Sequence, residues 1–375
     1  MPGAQVVFLA HAADRTGAAI TLLHQLRWLR ANTDLQIVTV LLRDGPLLGA
    51  FESLGPAIVI GEPDLNPART PAMEADDARR RAQLADLAGA DLVYVNTAWS
   101  IHALPFLPVG AATPVLAAIH ELDHDLRDGM PPASLALLLS APAHFIAGAP
   151  VIASNLVEGY GVAADQVTVV SEAIALPKPG PAPSRHSLDL DEEAFVVVAV
   201  GSPIWRKGPD LFVHLADRLA RRVQPVRMRW LGADPVVPHP DLVTPLADRA
   251  RLELEAVVDF LPPTDRVFDH LRCADAFVLT SREDANPLVC LEAAAVGLPV
   301  VCFDNGGIPA ALGPEACIDV PYPDIEAMAD ALVALAEDEP GRRARGRAAA
   351  AAVRLRHDIE TTGPVLLRTL ERWLP

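Results

Sequence analysis

Ser281-Arg-Glu-Asp-Ala-Asn-Pro-Leu-Val-Cys-Leu-Glu-Ala-Ala-Ala-Val-Gly-Leu-Pro-Val-Val-Cys-Phe-Asp-Asn-Gly-Gly307 decides the fold class of this chain. Before it runs the apolar strand pattern Ala274-Asp-Ala-Phe-Val-Leu-Thr280, and within it Pro299-Val-Val-Cys-Phe303 reads as a second strand. Between the two lies a helix. Pro287 suits its first turn, where a missing N–H costs nothing, and Gly297 suits its end, where a left-handed residue is wanted. The unit is strand, polar loop, helix, strand. Its loop sits at the carboxyl end of a parallel strand, the place where open α/β sheets bind ligands.

Working outward, the first half alternates strand and helix patterns. Strands are expected at Gln5–Leu9, Gln36–Leu42, Leu92–Val95, Val115–Ile119 and Ala143–Ile146, with an amphipathic helix from Ala19 to Leu29. A second alternation begins at Phe195–Val200 and continues through Val226–Leu231, Val257–Phe260 and Ala276–Leu279. Strands interleaved with helices imply parallel sheets with helices on both faces. The expected organisation is an N-terminal domain over residues 1–176, a proline-rich linker over 177–190 (Leu176-Pro-Lys-Pro-Gly-Pro-Ala-Pro-Ser184 at its core), and a C-terminal domain over 191–357. Residues 358–375 form a helical tail, a candidate to pack back on the N-terminal domain.

Composition sets the limits. At 51% hydrophobic and 21% charged, the 375 residues suit two ordinary cores and exclude global disorder. No apolar run reaches the ~18 residues of a membrane span, and Met1–Ala10 lacks the basic leader of a signal peptide. A net charge of −17 argues against nucleic acid and anionic membrane surfaces as partners. Cys273, Cys290, Cys302 and Cys317 lack zinc spacing and read as buried thiols of a cytoplasmic protein. Asp123-His-Asp125 and Asp189-Leu-Asp191 resemble metal-binding acid pairs, but Asp189 to Glu193 reads better as a solvated charge run or helix cap, and neither pair is expected to be a metal site. Arg79-Arg-Arg81 reads as a solvated helix face.

The quoted loop has its own chemistry. A helix N-terminus offers unpaired N–H groups and partial positive charge to a phosphate. Asp284, and Glu292 reaching back along the helix, offer carboxylates to hydroxyls. Phosphate beside hydroxyl-gripping acids describes a sugar nucleotide. An isolated acid pair would read as a capping acid and a solvated Glu. Here Pro287, Gly297, Pro299, Gly306 and Gly307 all stand in place around it.

The pattern resembles the donor-site signature of the family 4 retaining glycosyltransferases: an acid, seven residues, Glu-Ala, then Gly-x-Pro-Val-Val and a Gly-Gly loop. Asp284 stands where that family usually has Glu. Gly201-Ser-Pro-Ile-Trp-Arg-Lys-Gly208, after the strand Phe195–Val200, resembles the family's second donor motif. Lys207 and Gly208 match it. Ser202 occupies the usual Arg position, and Arg206 can supply the missing guanidinium. His11-Ala-Ala-Asp-Arg-Thr-Gly17 is similar to the family's first loop, where Gly17 lets the backbone approach a ligand. His120, at the end of Val115–Ile119, stands where the family commonly has a His facing the donor sugar.

The resemblance implies a GT-B architecture, two doubly wound parallel-sheet domains facing across a cleft. It implies a metal-independent, retaining hexosyltransferase that needs no cofactor beyond its nucleoside diphosphate sugar. Asp284, Arg206, Lys207 and His120 are then the catalytic group. Glu292 holds the ribose, and Asn286, Pro287, Leu288, Gly201, Ser202 and Gly17 line the donor. Asp14, Asn96 and Glu121 fall on the acceptor side, with Glu172 at a similar strand end. Residues 1–175 carry a net charge of −9, which favours a neutral or amine-bearing acceptor over a phosphorylated one. A GT-B sugar-nucleotide epimerase and a non-catalytic GT-B subunit are the alternatives.

Overall fold

The computed structural model describes residues 3–66, 68–178 and 180–375. Met1, Pro2, Pro67 and Pro179, the last within the expected linker, lie outside them. The chain divides into two compact units, Met1–Ala173 with Ile359–Pro375, and Ile174–Asp358.

The first unit holds seven strands: β1 (Gln5–Ala12), β2 (Gln36–Arg43), β3 (Ala57–Val59), β4 (Leu92–Asn96), β5 (Val115–Ile119), β6 (His144–Ala147) and β7 (Val167–Val169). They pair in the order β3-β2-β1-β4-β5-β6-β7, all parallel. Helices α1 (Gly17–Asn32), α2 (Leu48–Glu52), α3 (Pro71–Gln83), α4 (Pro132–Ser140) and α5 (Pro150–Ser154) connect them. The order reverses between β1 and β4, so the loops after these two strands flank the switch point where such sheets bind ligands.

The second unit holds β8 (Phe195–Val200), β9 (Val226–Leu231), β10 (Val258–Leu261), β11 (Ala276–Leu279), β12 (Val300–Phe303) and β13 (Cys317–Val320). Their order is β10-β9-β8-β11-β12-β13, again all parallel. Helices α6 (Pro209–Ala220), α7 (Val243–Arg251), α8 (Val267–Cys273), α9 (Leu288–Ala295), α10 (Ile308–Leu312), α11 (Ile325–Glu337) and α12 (Glu339–Arg356) cover it. Its switch point lies between β8 and β11, the strands that precede the two loops singled out in the sequence. Phe212, Leu215 and Leu219 of α6 pack with Met228 and Trp230 of β9 and with Met328 and Leu332 of α11.

The last helix, α13 (Ile359–Glu371), belongs to the first unit. Leu366 and Leu370 join the core made by Leu22, Leu26 and Leu29 of α1 and Phe8 of β1. Each such leucine contributes about 1.5–3 kcal/mol when fully buried. Trp28 Nε1 donates to Glu360 at 3.2 Å, and a Cβ on Gly363 would stand 2.3 Å from the Trp28 ring, so the helix docks closely.

Two local expectations change. The unit boundary falls between Ala173 and Ile174, ahead of the proline-rich stretch, and Arg185 near the end of the expected linker is tied to the second unit. Arg185 donates to the carbonyls of Cys273, Glu192 and Ala194 and to Asp275 at 2.8–3.1 Å. The Arg79–Arg81 run is not a wholly solvated face. Arg80 is buried, donating to the Gly61 and Glu62 carbonyls and to Asp77, because α3 lies on that loop with Arg80 beneath it. Gly297 does end its helix in the left-handed region, at φ +91°.

Candidate functional site

In the second unit, two loops at the β8/β11 switch point are stitched together. After β8 the chain makes a tight turn over Trp205–Lys207 and enters α6 through Gly208, at φ +71°. A Cβ on Gly208 would lie 2.2 Å from the Thr280 carbonyl oxygen, so only glycine allows this approach. Thr280 Oγ1 donates to the Lys207 and Gly208 carbonyls at 3.1 and 3.0 Å. Arg206 Nη1 donates to the Glu283 carbonyl, and Arg282 N to the Arg206 carbonyl, at 2.8 and 2.7 Å. Arg282 forks onto Asp210 at 3.0 and 2.6 Å and lies 4.6 Å over the Trp205 ring.

This stitching brings Arg206, Lys207 and Asp284 together. Lys207 Nζ donates to Asp284 Oδ2, Ser281 Oγ donates to the same oxygen at 3.2 Å, and Arg206 Nη1 stands 3.8 Å from Oδ1. All three members are mostly buried. The Asp284 backbone bridges to Gly306, whose missing side chain permits the contact, since a Cβ there would sit 2.2 Å from the Asp284 carbonyl oxygen. Asn305 Nδ2 pins the loop through the Ser281 and Arg282 carbonyls at 3.2 and 2.6 Å.

Pro287 is the residue before α9 rather than its first helical residue, and α9 starts at Leu288 without a side-chain cap or an acid in its first turn. The Cys290 N–H donates to the Pro287 carbonyl at 3.0 Å, and the helix start still presents its partial positive charge to an anion. The buried Oδ1 of Asn286 has no hydrogen-bond partner among the described residues, an acceptor awaiting a donor. Glu292 faces no partner among them either, and burial pushes its carboxyl up to about 7. Ser202 is exposed, and Gly201 turns its carbonyl to Trp230 Nε1 at 2.8 Å.

In the first unit, the loops after β1, β4, β5 and β7 meet. His120 Nδ1 lies 2.8 Å from Glu172 Oε1, and its Nε2 lies 3.2 Å from Asn96 Oδ1. Asn96 Nδ2 donates to the Ala18 carbonyl at 3.2 Å, near Gly17 at the start of α1. Glu121 accepts from the Ala98 N–H on both oxygens, at 3.2 Å each, and from the His120 N–H at 2.9 Å. Burial pushes the Glu121 carboxyl up, against the opposing pull of His120 and these N–H groups. Asp14 accepts from the Thr16 N–H and hydroxyl at 3.2 and 2.7 Å. Asp123 accepts from Tyr160 at 2.9 Å and pairs with Arg127, and Asp189 ends a helical turn in the left-handed region. Among the described residues no group of three His, Cys, Asp or Glu is placed to hold a metal ion. Sequence reasoning singled out Glu172 without its pairing, and it passed over Ser281, Arg282 and Asn305, although all three stand in the quoted stretch.

Residues 194–338 match the family model described as glycosyl transferases group 1. The matched residues lie within the second unit. A D-inositol 3-phosphate glycosyltransferase of Kineococcus radiotolerans is 34% identical over 218 residues, 52% of this chain and 49% of that protein. Its counterpart in Kribbella flavida is 32% identical over 209 residues, with the same coverage. The chain thus spans about half the length of the curated relatives it matches. Anabaena HepE, solved in complex with UDP and glucose, superposes with a TM-score of 0.82 over 98% of this chain and 100% of that one, at 19% identity. Sucrose-phosphate synthase from Thermosynechococcus elongatus gives 0.80 over 98% of each chain, at 18% identity. At such identities the likeness fixes the fold, the two-sheet GT-B architecture expected from the sequence. No helix among the described residues is long and apolar enough to cross a membrane.

Proposed function

We propose that the chain is a retaining glycosyltransferase of the group 1 kind that moves a hexose-type sugar from a nucleoside diphosphate sugar to a hydroxyl of a small or glycan acceptor. The observation that carries the reading is the cluster of Arg206, Lys207 and Asp284 beside the uncapped start of α9, with Glu292 on the same helix. The cations and the N–H groups near Asn286 to Leu288 receive the leaving diphosphate, so catalysis rests on leaving-group stabilisation and positioning. When a donor enters, Lys207 turns to phosphate and Asp284 is released toward the hydroxyls of the transferred sugar. Glu292 accepts from the ribose. The acceptor proton leaves with the departing diphosphate, which needs no nucleophile from the enzyme and no metal. The likeness to HepE, solved in complex with UDP and glucose, supports a nucleotide-sugar donor.

His120 belongs to the catalytic group, and Asp14, Asn96 and Glu121 to the acceptor side. The net charge of −9 over residues 1–175 supports a neutral or amine-bearing acceptor. The four free, buried cysteines support a reducing compartment, the cytoplasm.

The deciding experiment incubates the chain with a panel of nucleoside diphosphate sugars and candidate acceptors. Release of nucleoside diphosphate with glycosylated product supports the transferase. An altered sugar without release points to an epimerase, and binding without turnover to a non-catalytic subunit. A phosphorylated cyclitol preferred over neutral and amine acceptors would overturn the acceptor assignment.

A further inference from the structure

The hydrogen bonds around His120 can each run in only one direction. The Ala18 carbonyl only accepts, so the Asn96 group that meets it at 3.2 Å is the NH₂. The Asn96 carbonyl oxygen therefore faces His120 Nε2, where only an N–H can satisfy it. On the other side of the ring, Nδ1 faces Glu172 Oε1 at 2.8 Å, and a carboxylate oxygen again demands an N–H. Both ring nitrogens then carry protons.

The surroundings are built for this. The His120 and Glu172 side chains are 10% and 7% exposed, so their contact is made largely out of water, where it is strong. Gly148 leaves the room. A Cβ there would lie 2.9 Å from Glu172 Oε1 and 3.3 Å from His120 Nδ1. Gly148 also donates to the Ile119 carbonyl and accepts from the Glu172 N–H, which aligns the two loops. The titratable neighbours are Glu172, Glu121 and, from the end of β1, His11. Burial opposes the charge on His120, yet the hydrogen bond and charge of Glu172, with Glu121 behind it, outweigh burial and raise its pKa. His11 moves the other way, lowered chiefly by burial against the opposing pull of Asp14, with Arg43 and His120 adding to the lowering.

We infer that Asn96 and Glu172 hold His120 as a lasting imidazolium, so that it serves as a fixed positive charge and not as a proton carrier. Asn96 and Glu172 are its positioning residues. The protonation state rests on hydrogen-bond geometry alone, whereas its catalytic consequence rests on the transferase reading. In that reading His120 neither takes the acceptor proton nor returns one.

The test is ¹⁵N–¹H correlation spectroscopy of the histidine rings in the full chain without substrate, the His120 signals being those absent from His120→Gln. The expected result is two protonated ring nitrogens across about pH 6 to 8, the range in which an ordinary histidine loses its charge. Glu172→Gln should bring a neutral ring into that range, because the hydrogen bond and charge that raise the pKa are lost. Its turnover should drop about tenfold with little change in donor KM, and should recover as pH is lowered and the ring regains its charge, which a merely structural loss would not do. Gly148→Ala should reproduce this pattern by displacing Glu172. A single neutral tautomer of His120 in the wild-type protein at pH 7 overturns the proposal, and that spectrum decides even if Glu172→Gln and Gly148→Ala do not fold. A doubly protonated ring in a chain with no transferase activity would uphold the proposal and overturn the transferase reading.

Discussion

Lys207 donates from Nζ to Asp284 Oδ2, an oxygen that also accepts from Ser281 Oγ at 3.2 Å. Each group is the other's counter-ion, and the two are 18% and 11% exposed. Removing either leaves its partner charged and largely out of water. We expect Lys207→Met and Asp284→Asn each to destabilise the protein by about 1–3 kcal/mol. The double variant should lose less than the sum, with a coupling of about 0.5–3 kcal/mol in urea melts. Additive losses would show that the contact contributes nothing net. Asp284→Glu, which restores the usual family residue, should lower turnover, because the pocket around Lys207 and Ser281 fits the shorter side chain.

Glu292 sets a pH dependence of unusual sign. Its carboxyl is raised from 4.5 to about 7 by burial, so the folded protein holds a proton that the unfolded chain has released. That stabilisation is complete below about pH 4.5 and is lost as pH rises through about 7. The melting temperature of wild type should fall between pH 5 and 8 relative to Glu292→Gln, which lacks the proton. Parallel curves for the two proteins would remove Glu292 as the cause.

The same residue should report donor binding. Ribose hydroxyls favour the ionised carboxylate. At pH 7 the free protein is roughly half protonated at this site, so nucleoside diphosphate binding should release up to about half a proton. Titration calorimetry in buffers of different ionisation enthalpy measures this directly. Glu292→Gln should abolish the release and weaken binding by about 1.5–3 kcal/mol. Unchanged affinity would end the ribose assignment.

Asp210 works in the opposite direction. Burial alone would raise its pKa, but the forked hydrogen bonds and charge of Arg282 overcome burial and hold it below 3.8. The pair therefore stabilises the fold above that value, and the contribution disappears as pH falls through the lowered pKa. Arg282→Gln should cost about 1–3 kcal/mol at pH 7 and much less near pH 3. An equal cost at both would assign the loss to the stacking on Trp205 instead.

Gly363→Ala should strike the first unit selectively. The new methyl would overlap the Trp28 ring, and overpacking of this kind costs about 1–3 kcal/mol. In a calorimetric scan that resolves the two units, only the transition of the first should move. A shift in both would mean that the units unfold together.

The two-sheet architecture was legible because central parallel strands are apolar on both faces and leave long hydrophobic runs. Phe195–Val200 and Val226–Leu231 were found with their observed bounds. The strands that escaped, β3, β7 and β13, are all sheet edges of three or four residues, and their burial is incomplete. The site's residue types were equally readable, since loop, helix start and glycine spacing are local. Which charge meets which is not local. Lys207 and Asp284 lie 77 residues apart, and His120 and Glu172 lie 52 apart. Only the β8/β11 and β5/β6/β7 pairings bring those partners into reach. Arg80 misled for the same reason, because its partners Gly61 and Glu62 lie on a loop that the helix pattern does not reveal.

The return of α13 to the first unit makes the second an insertion, with a consequence for synthesis. Leu22, Leu26 and Trp28 leave the ribosome early, but the helix that covers them follows only after Ile174–Asp358 has been made. At about 5–20 residues per second this delay is roughly 10–40 s. Throughout it, α1 presents a greasy, unsealed flank to the cell, a natural foothold for a holding chaperone. The nascent chain thus completes its middle before its beginning.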